Sequence, residues 1–188
     1  PSTNTVCGPD APIPVGPQTR FLDYEGELAV IIGKRGKHIP AAQALSYVGG
    51  VTCLNDISER ELRLWERPED RPWDKFFDWL NGKWYDHGAP MGPCAVPLAD
   101  LADVHDLTLT TRVNGQVRQQ STTGHMIFRI PQIIEYLSQF LTLEVGDVIA
   151  TGTPSGVGHA CGCRLTPGDV VEVEIEPIGV LRNPVVSE

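Results

Sequence analysis

The residues Asp23-Tyr24-Glu25-Gly26-Glu27 place three carboxylates at every second position of a chain that runs on into Leu28-Ala29-Val30-Ile31-Ile32-Gly33. That tail is β-branched and apolar up to a stopping glycine, so the stretch reads as a strand whose side chains alternate between two faces. Asp23, Glu25 and Glu27 then share a face with Ala29 and Ile31. Like charges set this close, where an apolar run begins, call for water or a cation between them. On this segment alone two readings stand open: a solvated acidic strand end, or part of a metal site. Cys161 and Cys163 offer softer ligands, but no second close pair completes a four-ligand set and His159 is a single imidazole. Two loop thiols are the expectation there.

The elements that must position these groups follow from local pattern. Pro1, Pro9, Pro12, Pro14 and Pro17 predict an extended or turning start without a helix. Pro40 opens a helix expected to run through Val48, with Gly49 closing it. Val51 to Asp56 reads as a short buried strand, and Ser58-Glu59-Arg60-Glu61 spells a capping box that predicts another helix. Asp56 is therefore expected at a strand-to-helix junction.

From Trp65 to Trp84 all four tryptophans gather with Phe76 and Phe77. Such an aromatic loop is expected to pack on a partner subunit, in preference to walling a substrate pocket, because interfaces are rich in aromatics. Pro90 to Pro97 reads as a proline-rich connection. Leu107, Leu109, Thr111 and Val113 alternate with polar residues up to Asn114-Gly115, a type I′ hairpin signal. Pro131 opens a helix with Ile133, Ile134, Leu137 and Leu141 along its apolar stripe. Two copies of Leu-x-x-Gly-Asp-Val, at Leu143 to Val148 and Leu165 to Val170, each predict a turn feeding a strand. Strands outnumber helices and come by hairpin, so the fold class is α+β with a rolled or sandwiched sheet.

Composition narrows the function. A chain of 188 residues with 41% apolar residues can bury a core, and its length favours one domain, residues 1-188. No long apolar run predicts a membrane span. A net charge of -9 argues against nucleic acid or an anionic membrane surface as partner, since both need clustered Lys and Arg. An anionic substrate would then need a local remedy such as a metal. Five scattered cysteines read as reduced thiols, and no secretory signal precedes them, so cytoplasm is the expected compartment.

Several blocks occur together and in order: Asp-Tyr-Glu-x-Glu-Leu-Ala-Val-x-Ile-Gly, Asn55-Asp56-Ile57-Ser58-x-Arg60, Gly82-Lys83, Gly92-Pro93, Val113-Asn114-Gly115 with Gln119, and Thr151-Gly152-Thr153-Pro154-x-Gly156. This set resembles the fumarylacetoacetate hydrolase family over nearly the whole chain. The resemblance implies a mixed β-roll catalytic domain, usually a homodimer, that holds one divalent cation by two glutamates and an aspartate. Carried over by position, those ligands are Glu25, Glu27 and Asp56. Three hard oxygen donors agree with that and suit Mg²⁺, with Mn²⁺ or Ca²⁺ as further occupants. Lys83 corresponds to the lysine that stabilises a developing oxyanion. Arg60, Gln119, Gly152 and Thr153 are the implied substrate-binding residues.

The implied substrate is a small anionic oxo-acid, and the first expectation is hydrolysis of a C–C bond in an acylpyruvate or other β-diketo acid. Oxaloacetate decarboxylation and enol–keto isomerisation of a related 2-oxo acid are the alternatives within the enzyme class. A noncatalytic binding fragment that keeps the fold is the alternative outside it. Three departures from the family pattern stand out. Many members place a His-x-x-Glu base on an N-terminal lid upstream of the block resembling Pro1-Ser2-Thr3, and none of His38, His87, His105, His125 and His159 begins such a pair; the lid is expected to belong to a longer parent chain. Arg63 stands where many relatives have a substrate-binding glutamine, and Trp73 to Trp84 is an insertion.

Overall fold

Val171, Val173 and Ile175 are buried while Glu172 and Glu174 between them are half-exposed. This period-two pattern becomes strand structure through much of the chain, in a computed structural model that describes residues 3–63 and 65–188. The strands are β1 Val6–Cys7, β2 Ile13–Val15, β3 Leu22–Asp23, β4 Gly26–Ile32, β5 Val48–Asn55, β6 Ser58–Glu59 and β7 Ala89–Pro97. They continue with β8 Thr108–Val113, β9 Gln116–Thr122, β10 Val148–Ala150, β11 Val170–Ile175 and β12 Gly179–Ser187. One five-stranded sheet has the order β1-β7-β5-β4-β10, a second has β2-β12-β11-β8-β9, and β3 pairs with β6. The β1/β7 and β2/β12 pairs are parallel and the others antiparallel, which makes both larger sheets mixed.

The main core lies between the two large sheets. Leu28, Val30, Val51 and Cys53 meet Leu109, Val173, Ile175 and Leu181, with Ile130 and Ile134 of a helix packed against them. This is the α+β sandwich that the alternation predicts, and its mixed sheets are those the family resemblance implies. Gly26 lies hard against Thr111 of β8, where any Cβ would collide with the threonine hydroxyl. By alternation Gly26, Leu28 and Val30 look toward the second sheet, and Glu27 looks away from it.

The helices are α1 Ala41–Ala44, α2 Asp74–Asn81, α3 Ile130–Ser138 and α4 Gly158–Cys161. Proline occupies the first turn of α3, as expected. The Asn114-Gly115 turn has φ of 52° and 76° at its two residues, the type I′ signature. Both Leu-x-x-Gly-Asp-Val copies fold alike: Asp147 accepts from the Glu144 N–H at 2.7 Å, and Asp169 from the Thr166 N–H at 2.7 Å.

Elsewhere the chain departs from local expectation. The helix expected from Pro40 through Val48 ends at Ala44 and tightens into a 3-10 turn at Leu45–Tyr47, because Val48 and Gly49 are drawn into β5. Ser58 and Glu59 start no helix: they form β6, and Glu59 accepts from the backbone N–H groups of Arg20, Phe21 and Glu61. Asp56 thus lies between two strands. Pro90 to Pro97 is strand β7, and Trp73 to Trp84 contains α2. Cys161 and Cys163, expected as separate thiols, are joined as a disulfide across Gly162. The start expected to be extended or turning without a helix has strands at Val6–Cys7 and Ile13–Val15 but also a 3-10 turn at Thr3–Thr5, with Pro1 and Ser2 outside the described residues.

Candidate metal centre

The pairing of β4 with β5 sets Gly26 opposite Asn55, so the residues just before one strand and just after the other are neighbours. Asn55, fully buried, accepts from the Glu25 N–H at 3.0 Å, and the Asp56 N–H donates to the Glu25 carbonyl at 2.9 Å. These backbone ties bring Glu25, Glu27 and Asp56 together, with one carboxylate oxygen of each within 4.8 Å of the other two. The strand breaks after Asp23, so Asp23 does not join this face as its spacing suggested. It turns toward Arg60 and α4.

Lys83 lies one residue beyond the Gly82 cap of α2 and is held in place because the Gly82 carbonyl accepts from the Glu59 N–H at 2.8 Å. Its Nζ donates to Glu25 Oε2 at 2.8 Å, Asp56 Oδ2 at 2.7 Å and Ser58 Oγ at 2.8 Å. All three ammonium protons are therefore used. Burial works against the charge on Lys83, but the hydrogen bonds to Asp56 and Glu25 outweigh it and its pKa lies above the ordinary value. Arg60 donates from Nη2 to Glu25 Oε1 at 2.5 Å and from Nε to Asp23 Oδ2 at 2.9 Å. Two cations thus cover both oxygens of Glu25.

Glu27 is the outlier. It is buried, and the Gly152 N–H at 2.8 Å is its one hydrogen-bond donor among the described residues. Burial above all, then the Asp56 carboxylate and more weakly Glu25, push its pKa up to about 8 despite the Gly152 N–H and Lys83. Burial likewise raises Asp56, with Lys83 opposing. A buried carboxyl that lacks a direct cationic partner, beside two further carboxylate oxygens, is the donor set a hard divalent cation satisfies. The residues present therefore fit Mg²⁺, Mn²⁺ or Ca²⁺.

The remaining expected site residues form a collar behind β4. Gln119 Oε1 accepts from the Gly26 N–H at 3.1 Å, while its Nε2 donates to Thr153 Oγ1 at 2.8 Å and to the Pro154 carbonyl at 2.9 Å. Thr153 Oγ1 donates to the Gly26 carbonyl at 2.9 Å. Gly152, with φ of 94°, turns its N–H onto Glu27. Arg63 reaches Asp70 at 3.0 Å. No histidine is bonded to Glu25, Glu27, Asp56 or Lys83 among the described residues. A cavity of about 570 Å³, lined by Leu28, Leu109, Met126, Phe128 and the Thr151 to Ser155 turn, touches this collar only through Gly152 and Thr153.

Sequence reasoning missed Ser58 as a Lys83 partner, because Ser-x-x-Glu suggested a helix cap. It also missed Asp23 as an anchor separate from the metal face.

A family model described as "Fumarylacetoacetate (FAA) hydrolase C-terminal" matches residues 2–186. Oxaloacetate tautomerase Fahd2a, mitochondrial, of Rattus norvegicus is 40% identical over 186 residues, which is 98% of this chain and 56% of that protein. The solved structure of 5-carboxymethyl-2-hydroxymuconate delta-isomerase from Mycobacterium smegmatis superposes with a TM-score of 0.85 at 39% identity, over 98% of this chain and 66% of the other. A fumarylacetoacetate hydrolase from the psychrophile Exiguobacterium antarcticum does so with a TM-score of 0.85 at 38% identity, over 98% and 64%. The chain spans 56% of the tautomerase's length and under two thirds of this hydrolase's. No helix is long and apolar enough to cross a membrane among the described residues.

Proposed function

This chain belongs to the fumarylacetoacetate hydrolase family, and on that premise we propose that it carries the metal-dependent active site of an enzyme exchanging the enol and keto forms of a short 2-oxo acid, with oxaloacetate the first candidate. The single observation that carries this reading is the convergence of Glu25, Glu27 and Asp56 beside two fixed cations. Those three residues would hold Mg²⁺, Mn²⁺ or Ca²⁺, which when bound supplies a Lewis acid for the 2-oxo oxygen.

The protein's own groups do the rest. Lys83 Nζ stays protonated and puts a positive charge where an oxygen of the substrate gains negative charge. Arg60 has Nε and Nη2 committed to Asp23 and Glu25, which leaves Nη1 without a protein partner among the described residues and available to a substrate carboxylate. The Gln119–Thr153 collar fixes Gly26, and with it the spacing of Glu25 and Glu27. Enol–keto exchange takes the proton from the enol oxygen and adds one at C3, so it asks for charge stabilisation and a proton shuttle, a part solvent water can fill. Hydrolysis asks in addition for a group that strips a proton from water. Lys83 and Arg60 are already bonded to Glu25 and Asp56, and that favours exchange.

Hydrolysis of a C–C bond in an acylpyruvate is the second reading, supported by the 38% identity to a fumarylacetoacetate hydrolase. The test follows the enol absorbance of oxaloacetate with and without Mn²⁺, and pyruvate release from oxaloacetate and from an acylpyruvate. The proposal expects metal-stimulated loss of the enol without pyruvate. Pyruvate from the acylpyruvate would move the assignment to hydrolysis, and pyruvate from oxaloacetate to decarboxylation. No metal-dependent change in any substrate would leave a binding fragment.

A further inference from the structure

We propose that Asp23 is a positioning residue for the metal site: it holds Arg60 by Nε and so limits how strongly that guanidinium competes for Glu25. The inference rests on the reading of Glu25 as a ligand and extends it to a residue that touches neither metal nor substrate. Asp23 is fully buried. Its Oδ1 accepts from the Tyr24 N–H at 2.8 Å and the Gly158 N–H at 2.6 Å, and its Oδ2 from the His159 N–H at 3.0 Å and Arg60 Nε at 2.9 Å. Four donors on two oxygens leave the carboxylate no freedom. Gly158 lets this happen, since a Cβ there would stand 2.6 Å from Asp23 Oδ1.

Arg60 is placed by this fixed point. Its backbone N–H donates to the Phe21 carbonyl at 2.9 Å, and its side chain forks between Asp23 and Glu25. A guanidinium shared by two carboxylates pulls less on each than on one alone. With Asp23 neutralised, the whole charge falls on Glu25 Oε1, an oxygen that a cation also needs. The planar fork also loses the bond that sets its orientation, so Nη1 is no longer presented in one direction.

The test is a double-mutant cycle on Mg²⁺ affinity, read by calorimetry with Asp23→Asn, Arg60→Gln and the pair together. Groups that orient metal ligands from one step away cost about 10–100-fold in affinity when changed, so D23N is expected to weaken Mg²⁺ binding about tenfold. In the R60Q background the same change is expected to cost about twofold or less, because residues that act through one another are not additive. An equal loss in both backgrounds, or no loss in either, overturns the proposal. A second readout needs neither metal nor turnover: hydrogen exchange at Arg60 Nε, followed by NMR. Slow exchange in the wild-type chain is expected, and exchange as fast as a solvated arginine overturns the proposal even if D23N does not fold. If the wild-type chain binds no Mg²⁺, the proposed function fails, and the Arg60 exchange rate still decides whether Asp23 positions it.

Discussion

The acidic centre and the aromatic segment that leads into it are built in opposite ways. At the centre, charges are buried and their partners come from distant parts of the chain: Glu25 with Lys83, Asp23 with Gly158, Glu27 with Gly152. Between Trp65 and Asn81 side-chain hydrogen bonds such as Arg71 to Asp74 and Arg67 to Asp78 are local, the longer Arg20–Glu66 ion pair is exposed, and the rings stay outside, with Trp65 and Trp73 each 69% exposed. α2 even buries Asp74 while exposing Phe76, Phe77 and Trp79. The difference teaches that topology carries the chemistry here. The aromatic segment reaches the centre only at its end, where Gly82 is tied to Glu59 and Lys83 enters the carboxylates.

Substitutions should divide along the same line. The largest effect is expected at a ligand. Asp56→Asn should weaken Mg²⁺ binding by more than about a hundredfold, beyond the range seen for supporting groups, and calorimetry checks it. Lys83→Met should come next, lowering kcat by about 10²–10³-fold with the metal still bound, as for loss of one oxyanion-stabilising group. Steady-state kinetics at saturating metal would read this, and an unchanged kcat would make Lys83 a purely structural cation.

A pH effect should be smaller and specific to the centre. Glu27 titrates at about 8 in the folded chain against 4.5 ordinarily. Between those values the folded state keeps a proton that the unfolded state gives up, so stability in EDTA should fall as pH rises through this window. Saturating Mg²⁺ should remove the trend, and Mg²⁺ affinity should itself rise with pH toward 8. Urea midpoints across the window would show it, and a flat profile in EDTA would mean Glu27 is not held neutral. The smallest effect is expected on the other side of the comparison. Phe77→Ser on α2, where the ring is 54% exposed, should change stability by about 0.5 kcal/mol or less and leave kcat alone. A large fall in kcat instead would show that the aromatic segment takes part in the reaction.

What could be read from the sequence follows the same division between local and distant causes. The Asn114-Gly115 hairpin, the start of α3 and the two Gly-Asp turns are fixed by residues within a few positions, and each folds as its pattern predicts. Ser58 and Glu59 fail as a cap because Glu59 is claimed by N–H groups from Arg20 and Phe21, some 39 residues away. Pro40 to Val48 shortens because β4 recruits Val48. At the centre, spacing pointed to Glu25 and Glu27 as a pair, Asp56 and Lys83 came from the family resemblance, and the four side chains lie together. Asp23 was not, since an unbroken alternation hides the strand break that turns it toward α4. Gln119, Thr153 and Gly152 were expected to face substrate, and the structure shows their polar groups bonded to Gly26, Pro154 and Glu27.

The central claim, that three carboxylates hold one divalent cation, is tested most directly by titrating the protein with Mn²⁺ under electron paramagnetic resonance, beside Glu27→Gln. One tightly bound Mn²⁺ per chain is predicted for the wild type, and it should be lost when Glu27 becomes an amide. Wild-type and Glu27→Gln chains that take up Mn²⁺ equally, or not at all, would contradict it.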